Sequence, residues 1–562
     1  MQTTTTFGTL DWAVLIGYFI GITAFGLWLS RKTRTSGGYF LGDRKLPWWI
    51  MIGQAFGTGT HAESFVAQAG ATFASGFATI WYQWKNMLIT PFYWLIAPWY
   101  RRSERTTLGE ILEDRYGARF GMIYSLFAIA FFVLNQGVML QGAAKVVAVA
   151  TGNRLSPNGV VLAMAGAFLL YSFFGGLIST AYSDFIQGLM IIVLSMMLIP
   201  SGLAAVGGMA GMRNALPPDF FRLYSEVSGL DAFTIAMLAV NGIVGITAQP
   251  HMISMCATGN TERAGRIGQT YGSLVKRLCT IGWAFTGLIV AALVVQRGVV
   301  LTDPEMAFGY ACKTLLVPGL TGLMVACVLA ANMSACSNFM VNTGALFTKN
   351  FYLKYIRKEA TDRRSLWIGR FSGLGLTLLG ILFALTVRNV LHAFLFTETI
   401  AAFMGITVLG GILWKRANRT GAFMSVIVSF GLYYLLNVLD AGRLQLVYTW
   451  KPAPFGLAMA AGFAAFFLFS WVSRPEAPER VERFFDNMSR ASDVPPASPG
   501  QPKPLAAGLG KDLIMLDAPG WFRAGRWKGF PGRYREDLIG FGLAWIMVIA
   551  LIFLAWGIMQ LR

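Results

Sequence analysis

The stretch LPWWIMIGQAFGTGTHAESFVAQAGATFASG, Leu46 to Gly76, is long enough to cross a bilayer, and Arg44 and Lys45 precede it. Its centre nevertheless holds Gln54, Gly57, Thr58, Gly59, Thr60, His61, Glu63 and Ser64. A helix facing lipid cannot carry that many polar groups, because each unsatisfied one costs several kcal/mol in hydrocarbon. Three glycines between Gly53 and Gly59 also weaken the helical backbone. Two readings follow. Either the glycines let a neighbouring helix approach closely, or the backbone unwinds beside a cavity and its carbonyls hold a cation.

Around this stretch the chain reads as a membrane protein. Of 562 residues 55% are hydrophobic and only 13% charged, half the charged share of an ordinary soluble domain. About fourteen apolar spans are predicted: 9–30, 47–74, 77–99, 118–150, 157–178, 181–205, 232–256, 262–296, 316–349, 366–388, 391–414, 421–438, 453–473 and 537–560. The first begins near Leu10 with no basic stretch before it and no cleavage signal after it, so it reads as retained. With both termini outside, cytoplasmic connections and the span ends beside them carry 33 of the 46 Lys and Arg. They include Arg31, Lys32, Arg34, Arg101, Arg102, Arg105 and the run 354–364. That bias sets orientation in a plasma (inner) membrane and accounts for the net charge of +19 without a nucleic-acid partner. Five cysteines lack metal-ligand spacing, so neither a disulfide framework nor a transition-metal site is expected. No nucleotide or kinase motif appears, and neither an enzyme activity nor a cofactor is expected.

Two connections are long. The outside one, 206–231, carries PPDFF and suits a short surface helix. The cytoplasmic one, 474–536, has VPPASPGQPKPLAAG, which reads as flexible linker. Its later WFRAGRWKGFPGRYR suits either the inner headgroups or a solvated loop.

Several stretches, in order, resemble one family. YFLGDRKLPWW (39–49), TLGEILEDRYG (107–117) and YSFFGGLISTAYSDFIQG (171–188) are three of them. GLTGLMVACVLAANMSACSNFMVNTGALFTKNFY (319–352) and LGGILWKRANRTGA (409–422) complete the set. Together they resemble the sodium/solute symporters that include sodium–glucose and sodium–proline cotransporters. The resemblance implies an all-α, five-plus-five inverted-repeat core of the leucine-transporter type. It would divide the chain into an extra helix and loop (1–46), a first repeat (47–205), an outside loop (206–231), a second repeat (232–415), two accessory helices (416–473), the cytoplasmic loop (474–536) and a last helix (537–562). The second half carries its own interruption, GIVGITAQPH, with Gly242, Gly245, Pro250 and His251. Interrupted segments at corresponding places in two halves point to a transport site.

Matched residue by residue, the family's sodium site falls on the carbonyls of Gly57, Thr60 and Ala331 and the hydroxyl of Ser334. Its second hydroxyl position is Ala335, a departure that water or Thr58 would have to make good. Asp184, Ser337 and Asn338 resemble a second sodium site found in part of the family; Asp184 reads equally as a structural carboxylate. Positions matching sugar-binding residues carry Ser64, Gln83, Asn86 and Lys276, whereas a polar substrate position falls on Leu391. Lys85, Lys276 and Glu398 are ionisable residues within spans and are expected to face the pocket, where His251 joins them, or each other. The ammonium groups of Lys85 or Lys276 would favour an acidic solute. All three histidines (His61, His251, His392) lie in site helices. The reading is a secondary transporter moving a small polar solute with a cation, most simply sodium, by alternating access. Proton coupling and a solute sensor signalling through 474–536 are the alternatives.

Overall fold

A computed structural model describes residues 7–561, apart from 32–34, 227–228, 388, 497, 499–500, 523–524 and 526. Lys32, Arg34, Arg523, Arg526 and part of the proline-rich stretch therefore lie outside the described residues. Among the described residues there is no strand, only isolated bridges such as Leu46 with Gly259. Helix is what lipid imposes, because a helix satisfies its own N–H and C=O groups within one segment.

The principal helices are α1 (Thr9–Ser30), α2 (Trp48–Gly59), α3 (Ala62–Ser75), α4 (Thr90–Arg102), α5 (Ala118–Ala150), α6 (Pro157–Val206), α7 (Ala232–Ala248) and α8 (Met252–Ala257). They continue as α9 (Glu262–Arg297), α10 (Leu320–Leu346), α11 (Asp362–Ala384), α12 (Val390–Leu413), α13 (Arg419–Ala441), α14 (Pro452–Val472), α15 (Pro478–Met488) and α16 (Arg535–Gln560). Among the described residues ten helices are long and apolar enough to cross a membrane alone. The shortfall against fourteen predicted spans has a physical reason. The spans at 47–74, 77–99 and 232–256 are interrupted, each fragment being short, and 157–178 and 181–205 merge into α6, which bends at Gly176 (φ +61°). Gly176 sits against the backbone of Tyr39, where a Cβ would lie 2.6 Å from that ring.

Burial separates core from rim. The apolar windows of α9, α10 and α12 are 89%, 89% and 94% buried, those of α1, α13 and α16 only 22%, 28% and 22%. The rim helices present Leu, Ile, Phe and Trp outward, as lipid contact requires. At the centre, α2 is wedged between α6 and α9. A Cβ on Gly53 would lie 2.5 Å from Phe185, one on Gly57 2.6 Å from Asp184, and ones on Gly268 and Gly272 within 2.5–2.7 Å of Met51 and Ile52. Close packing and the end of the helix thus fall at different glycines. Gly53 and Gly57 serve close packing, and the helix continues through them; Gly59, with nothing within 4 Å of a Cβ, ends it.

The connection 474–536 departs from the linker reading. Its α15 buries Phe484, Phe485 and Met488, and Leu513 and Leu516 are buried further on. Ala491 N–H donates to the Pro504 carbonyl (3.0 Å) and Ala506 N–H to the Ser489 carbonyl (2.9 Å), folding the described part of the proline-rich stretch back on α15. Arg102, at the end of α4, is the clasp. Its guanidinium donates to Glu262 on α9 (2.8 and 3.0 Å) and to the carbonyls of Met488 (3.2 Å) and Lys511 (2.6 Å). Trp99 Nε1 donates to the Met515 carbonyl (2.9 Å), and Asp517 N–H to the Ile412 carbonyl at the end of α12 (3.2 Å). Phe522 and Trp527 remain exposed.

Removing these charge-assisted bonds from a buried guanidinium should lower local stability by about 1.5–3 kcal/mol. Arg102→Gln is therefore expected to open residues 490–517 to trypsin at Arg490 and Lys511, about tenfold or more faster than the parent under native conditions. Equal cleavage would mean that Arg102 does not hold the segment.

Candidate functional site

The break after Gly59 is a two-residue extended link, Thr60 (φ −127°, ψ 103°) and His61 (φ −133°, ψ 173°), between α2 and α3. Such a link strands backbone groups in the membrane interior, and α10 supplies the partner. The Asn332 amide oxygen accepts from Ala62 N–H (2.7 Å), and its NH2 donates to the Met139 carbonyl of α5. His61 lies against the Glu63 carboxylate. The hydroxyls of Thr60, Ser64 and Ser334 are buried and have no hydrogen-bond partner. Of the sodium ligands expected by resemblance, α10 thus carries Ala331 and a free Ser334 hydroxyl beside the break. Its Ala335 offers no polar atom. The Thr58 hydroxyl, the substitute the sequence offered, is already paired with Asp184 and Asn338.

That hydroxyl donates to Asp184 Oδ2 (3.0 Å) and accepts from Asn338 Nδ2 (3.3 Å). Asn338 Oδ1 in turn accepts from Asn342 (2.6 Å), whose NH2 also reaches Ser254 on α8 (3.3 Å). Asp184 Oδ1 is buried without a partner, and the Gly57 notch is what admits its side chain. Ser337 bonds Thr180 (2.9 Å), so Asn338 is the α10 residue that joins Asp184's cluster. The result is a second group of buried oxygens on α2, α6 and α10. A hard cation wants several such oxygens, and both groups are short of partners in the way a transported ion would remedy.

The second interruption lies at Gln249–His251, where Gln249 is extended (φ −67°, ψ 121°) and Pro250 has no N–H to give. The break thus falls at the Pro250–His251 end of the stretch GIVGITAQPH, and α7 is continuous through Gly242 and Gly245. Those glycines admit neighbours instead. A Cβ on Gly242 would meet Asn86 Oδ1 at 2.3 Å and the Lys85 carbonyl at 3.0 Å. Lys85 and Asn86 sit in a third interruption, 85–89, which the aromatic run before it concealed.

Between the two broken helices is a cavity of about 70 Å³ lined by Thr58, Gly59, His61, Gln83, Asn86, His251, Lys276, Arg277, Glu398 and their neighbours, large enough for water or a small solute. Lys85 Nζ pairs with Glu398 Oε2 (2.7 Å) and donates to Asn241 Oδ1 (3.1 Å). Gln249 Nε2 donates to Glu398 Oε1 (2.9 Å), and Asn241 Nδ2 to Thr399 (3.3 Å). Lys276 donates to the Gly59 carbonyl at the break, and Arg277 to the Gln83 carbonyl (3.1 Å). His251 lies beside the rings of Phe131 and Phe339. Ser64 is buried outside the cavity lining. His392 and Leu391 are at the other end of α12, where Glu305 caps the N–H groups of Val390 (2.9 Å) and Leu391 (3.0 Å). Two histidines, not three, reach the cavity. Sequence reasoning missed Asn241 and Asn332, lone amides in apolar helices, and Gln249 at the break itself. Arg277 carried a visible signal, a charge within a span.

A family model described as the sodium:solute symporter family matches residues 39–429. The sodium/myo-inositol cotransporter 2 of Sus scrofa is 26% identical over 478 residues, 76% of this chain and 70% of its own. The osmoregulated proline transporter OpuE of Bacillus subtilis is 27% identical over 465 residues, 79% of this chain and 92% of its own. Among solved structures, a Na+-coupled sialic acid symporter, substrate-bound and outward-open, superposes with TM-score 0.70 at 18% identity, over 84% of this chain and 99% of that one. Mhp1, a nucleobase-cation-symport-1 family transporter in a closed conformation, gives 0.51 at 13% identity, over 79% and 98%. The fold is that of the leucine-transporter type.

Breaking one side of the Lys85–Glu398 pair leaves a buried charge, which costs about 3–5 kcal/mol. Glu398→Gln and Lys85→Met are each expected to lower the melting temperature in detergent, and the double variant to lie above the sum of the two losses. Additive losses would show that the two groups are not coupled.

Proposed function

The chain belongs to the sodium:solute symporter family, and on that premise we propose that it moves a small polar solute across the membrane together with sodium, by alternating access. It is a transporter, not an enzyme. The observation that carries the coupling is the pair of partner-poor oxygen groups at the α2–α3 break. One comprises the partnerless hydroxyls of Thr60 and Ser334, beside which the resemblance adds the carbonyls of Gly57 and Ala331; in the other, Asp184 Oδ1 has no partner while Oδ2 accepts from Thr58, itself bonded by Asn338. The first sits where backbone is interrupted inside protein, the setting in which membrane transporters hold cations, and Thr58 of the second stands two residues before that interruption. Sodium there would draw α2 and α10 together and bias the population toward the conformation that admits solute. A monovalent cation falling through 100 mV supplies about 2.3 kcal/mol, enough for roughly 50-fold accumulation.

The solute occupies the cavity between the two broken helices, with Gln83, Asn86, His251 and Lys276 on its wall. Lys85 reaches it only through Glu398. The bias of Lys and Arg to alternate connections supports termini outside and 474–536 in the cytoplasm of a plasma (inner) membrane. The packing of 474–536 onto α4, α9 and α12 leaves no free signalling arm among its described residues, which favours transport over sensing.

Uptake into proteoliposomes under an imposed sodium gradient, set against an imposed proton gradient, tests the coupling directly. Sodium-driven uptake is expected; uptake driven by protons alone, abolished by His61→Gln or His251→Gln, would replace it with proton coupling. Ser334→Ala should raise the half-saturating sodium concentration about tenfold, the cost of one lost ligand bond of about 1.5 kcal/mol, with solute affinity at saturating sodium little changed. Ala335→Ser should lower it. Unchanged sodium dependence in both variants would remove this face of α10 from the ion site.

A further inference from the structure

The charged groups on the cavity wall do not balance. Lys276, Arg277 and Glu398 line it, and among the described residues Glu398 is the only carboxylate that does. That carboxylate is already committed. Lys85 holds one oxygen at 2.7 Å and Gln249 the other at 2.9 Å. Glu63 and Asp184 lie close to the break but do not line the cavity; they face His61 and Thr58. Lys276 has only the Gly59 carbonyl, and Arg277 the Gln83 carbonyl (3.1 Å) and the Tyr93 hydroxyl, while its Nε has no partner. Two adjacent cations of α9 therefore face the solute space with dipoles alone for partners. A buried cation with no counter-charge is unstable by several kcal/mol, and carbonyl dipoles compensate only in part.

We propose that the transported solute is a small organic carboxylate, held through its anionic group by Lys276 and Arg277. The inference rests on the cavity being the solute site of a sodium symporter. The carboxylate supplies the missing counter-charge, and the guanidinium fork of Arg277 with the ammonium of Lys276 forms a two-point clamp for it. Glu398 is closed to an incoming ammonium group by Lys85, so an amino acid gains nothing from its amine. A neutral polyol or sugar would leave both cations without charge partners, and the penalty falls on its affinity. The Gly59 carbonyl that Lys276 now bonds is freed when Lys276 turns to the solute. That release returns one backbone oxygen to the break where sodium is proposed to bind, tying solute binding to ion binding through one lysine.

The test is thermal stabilisation of the purified full-length chain in sodium, followed by uptake of any hit. The probes are two- to six-carbon mono- and dicarboxylates with their amides, myo-inositol and glucose as neutral solutes, and proline as a zwitterion. A carboxylate is expected to stabilise the protein in sodium where its amide does not. Lys276→Gln and Arg277→Gln should each weaken it about tenfold or more, with Lys276→Arg retaining most of the affinity. Size-exclusion profiles and the parent's sodium response identify variants that are folded. Sodium-dependent stabilisation by a neutral solute or proline equal to that of any carboxylate overturns the inference and leaves sodium symport standing. So does a carboxylate whose binding ignores both glutamine variants, or a panel in which no carboxylate binds. Binding of a carboxylate, lost in the glutamine variants but indifferent to sodium, instead overturns the coupling and retains the clamp.

Discussion

The contact between Asn332 and the backbone of Ala62 is what permits a helix to stop in the middle of this bundle. An N–H group stranded in a membrane interior costs several kcal/mol, so an interrupted helix needs a partner at the break itself. Asn332 gives its oxygen to Ala62 and its NH2 to Met139, tying α3, α5 and α10 at one point. With that demand met, Thr60 and His61 can run extended, and the hydroxyls of Thr60 and Ser334 are left without hydrogen-bond partners. The Gln249–Pro250 break follows the same logic from the other side. Proline removes the donor that would otherwise need a partner, and Gln249 turns its amide to Glu398.

Close packing makes these breaks useful. Glycines at 53, 57, 268 and 272 bring α2 within side-chain distance of α6 and α9, which carries Asp184 to Thr58 and Lys276 to Gly59. A helix pair held apart by ordinary side chains would place those groups beyond hydrogen-bond reach. The same holds at Gly242, whose missing side chain makes room for the Lys85–Asn86 turn. The proposed ion site and solute cavity are thus joined through α2, whose Thr58 belongs to both.

The segment 474–536 crosses the same structure at its basic end. Arg102 anchors this strap through Glu262 and two of its carbonyls, while Arg115 bonds the carbonyls of Gly411, Trp414, Lys415 and Ala417 and lies over the strap's Phe484 and Phe485 rings. Helices from both halves, α4, α9 and α12, meet under it. Guanidinium groups suit this work because five donors in a plane can serve several carbonyls at once.

How much of this was legible in the chain depends on range. Apolar runs of span length and polar residues crowded between glycines are local properties, and they determined by themselves that the chain crosses a membrane and that one helix is interrupted near Thr60. Lys85, Lys276 and Glu398 were legible as groups that lipid would not tolerate. Their partners were not, since Lys85 and Glu398 stand 313 residues apart and any of several carboxylates would have satisfied the same argument. The turn at 85–89 was hidden by the aromatic run before it, and Asn332 by the apolar helix around it. The strap read as linker because its bonds run largely to backbone carbonyls, which every residue has and no composition reveals. Tertiary structure alone decided which glycine packs and which one ends a helix, which amide rescues the break, and which cations are left facing the cavity, because each of those outcomes depends on what another helix brings within about 3 Å, the reach of a hydrogen bond.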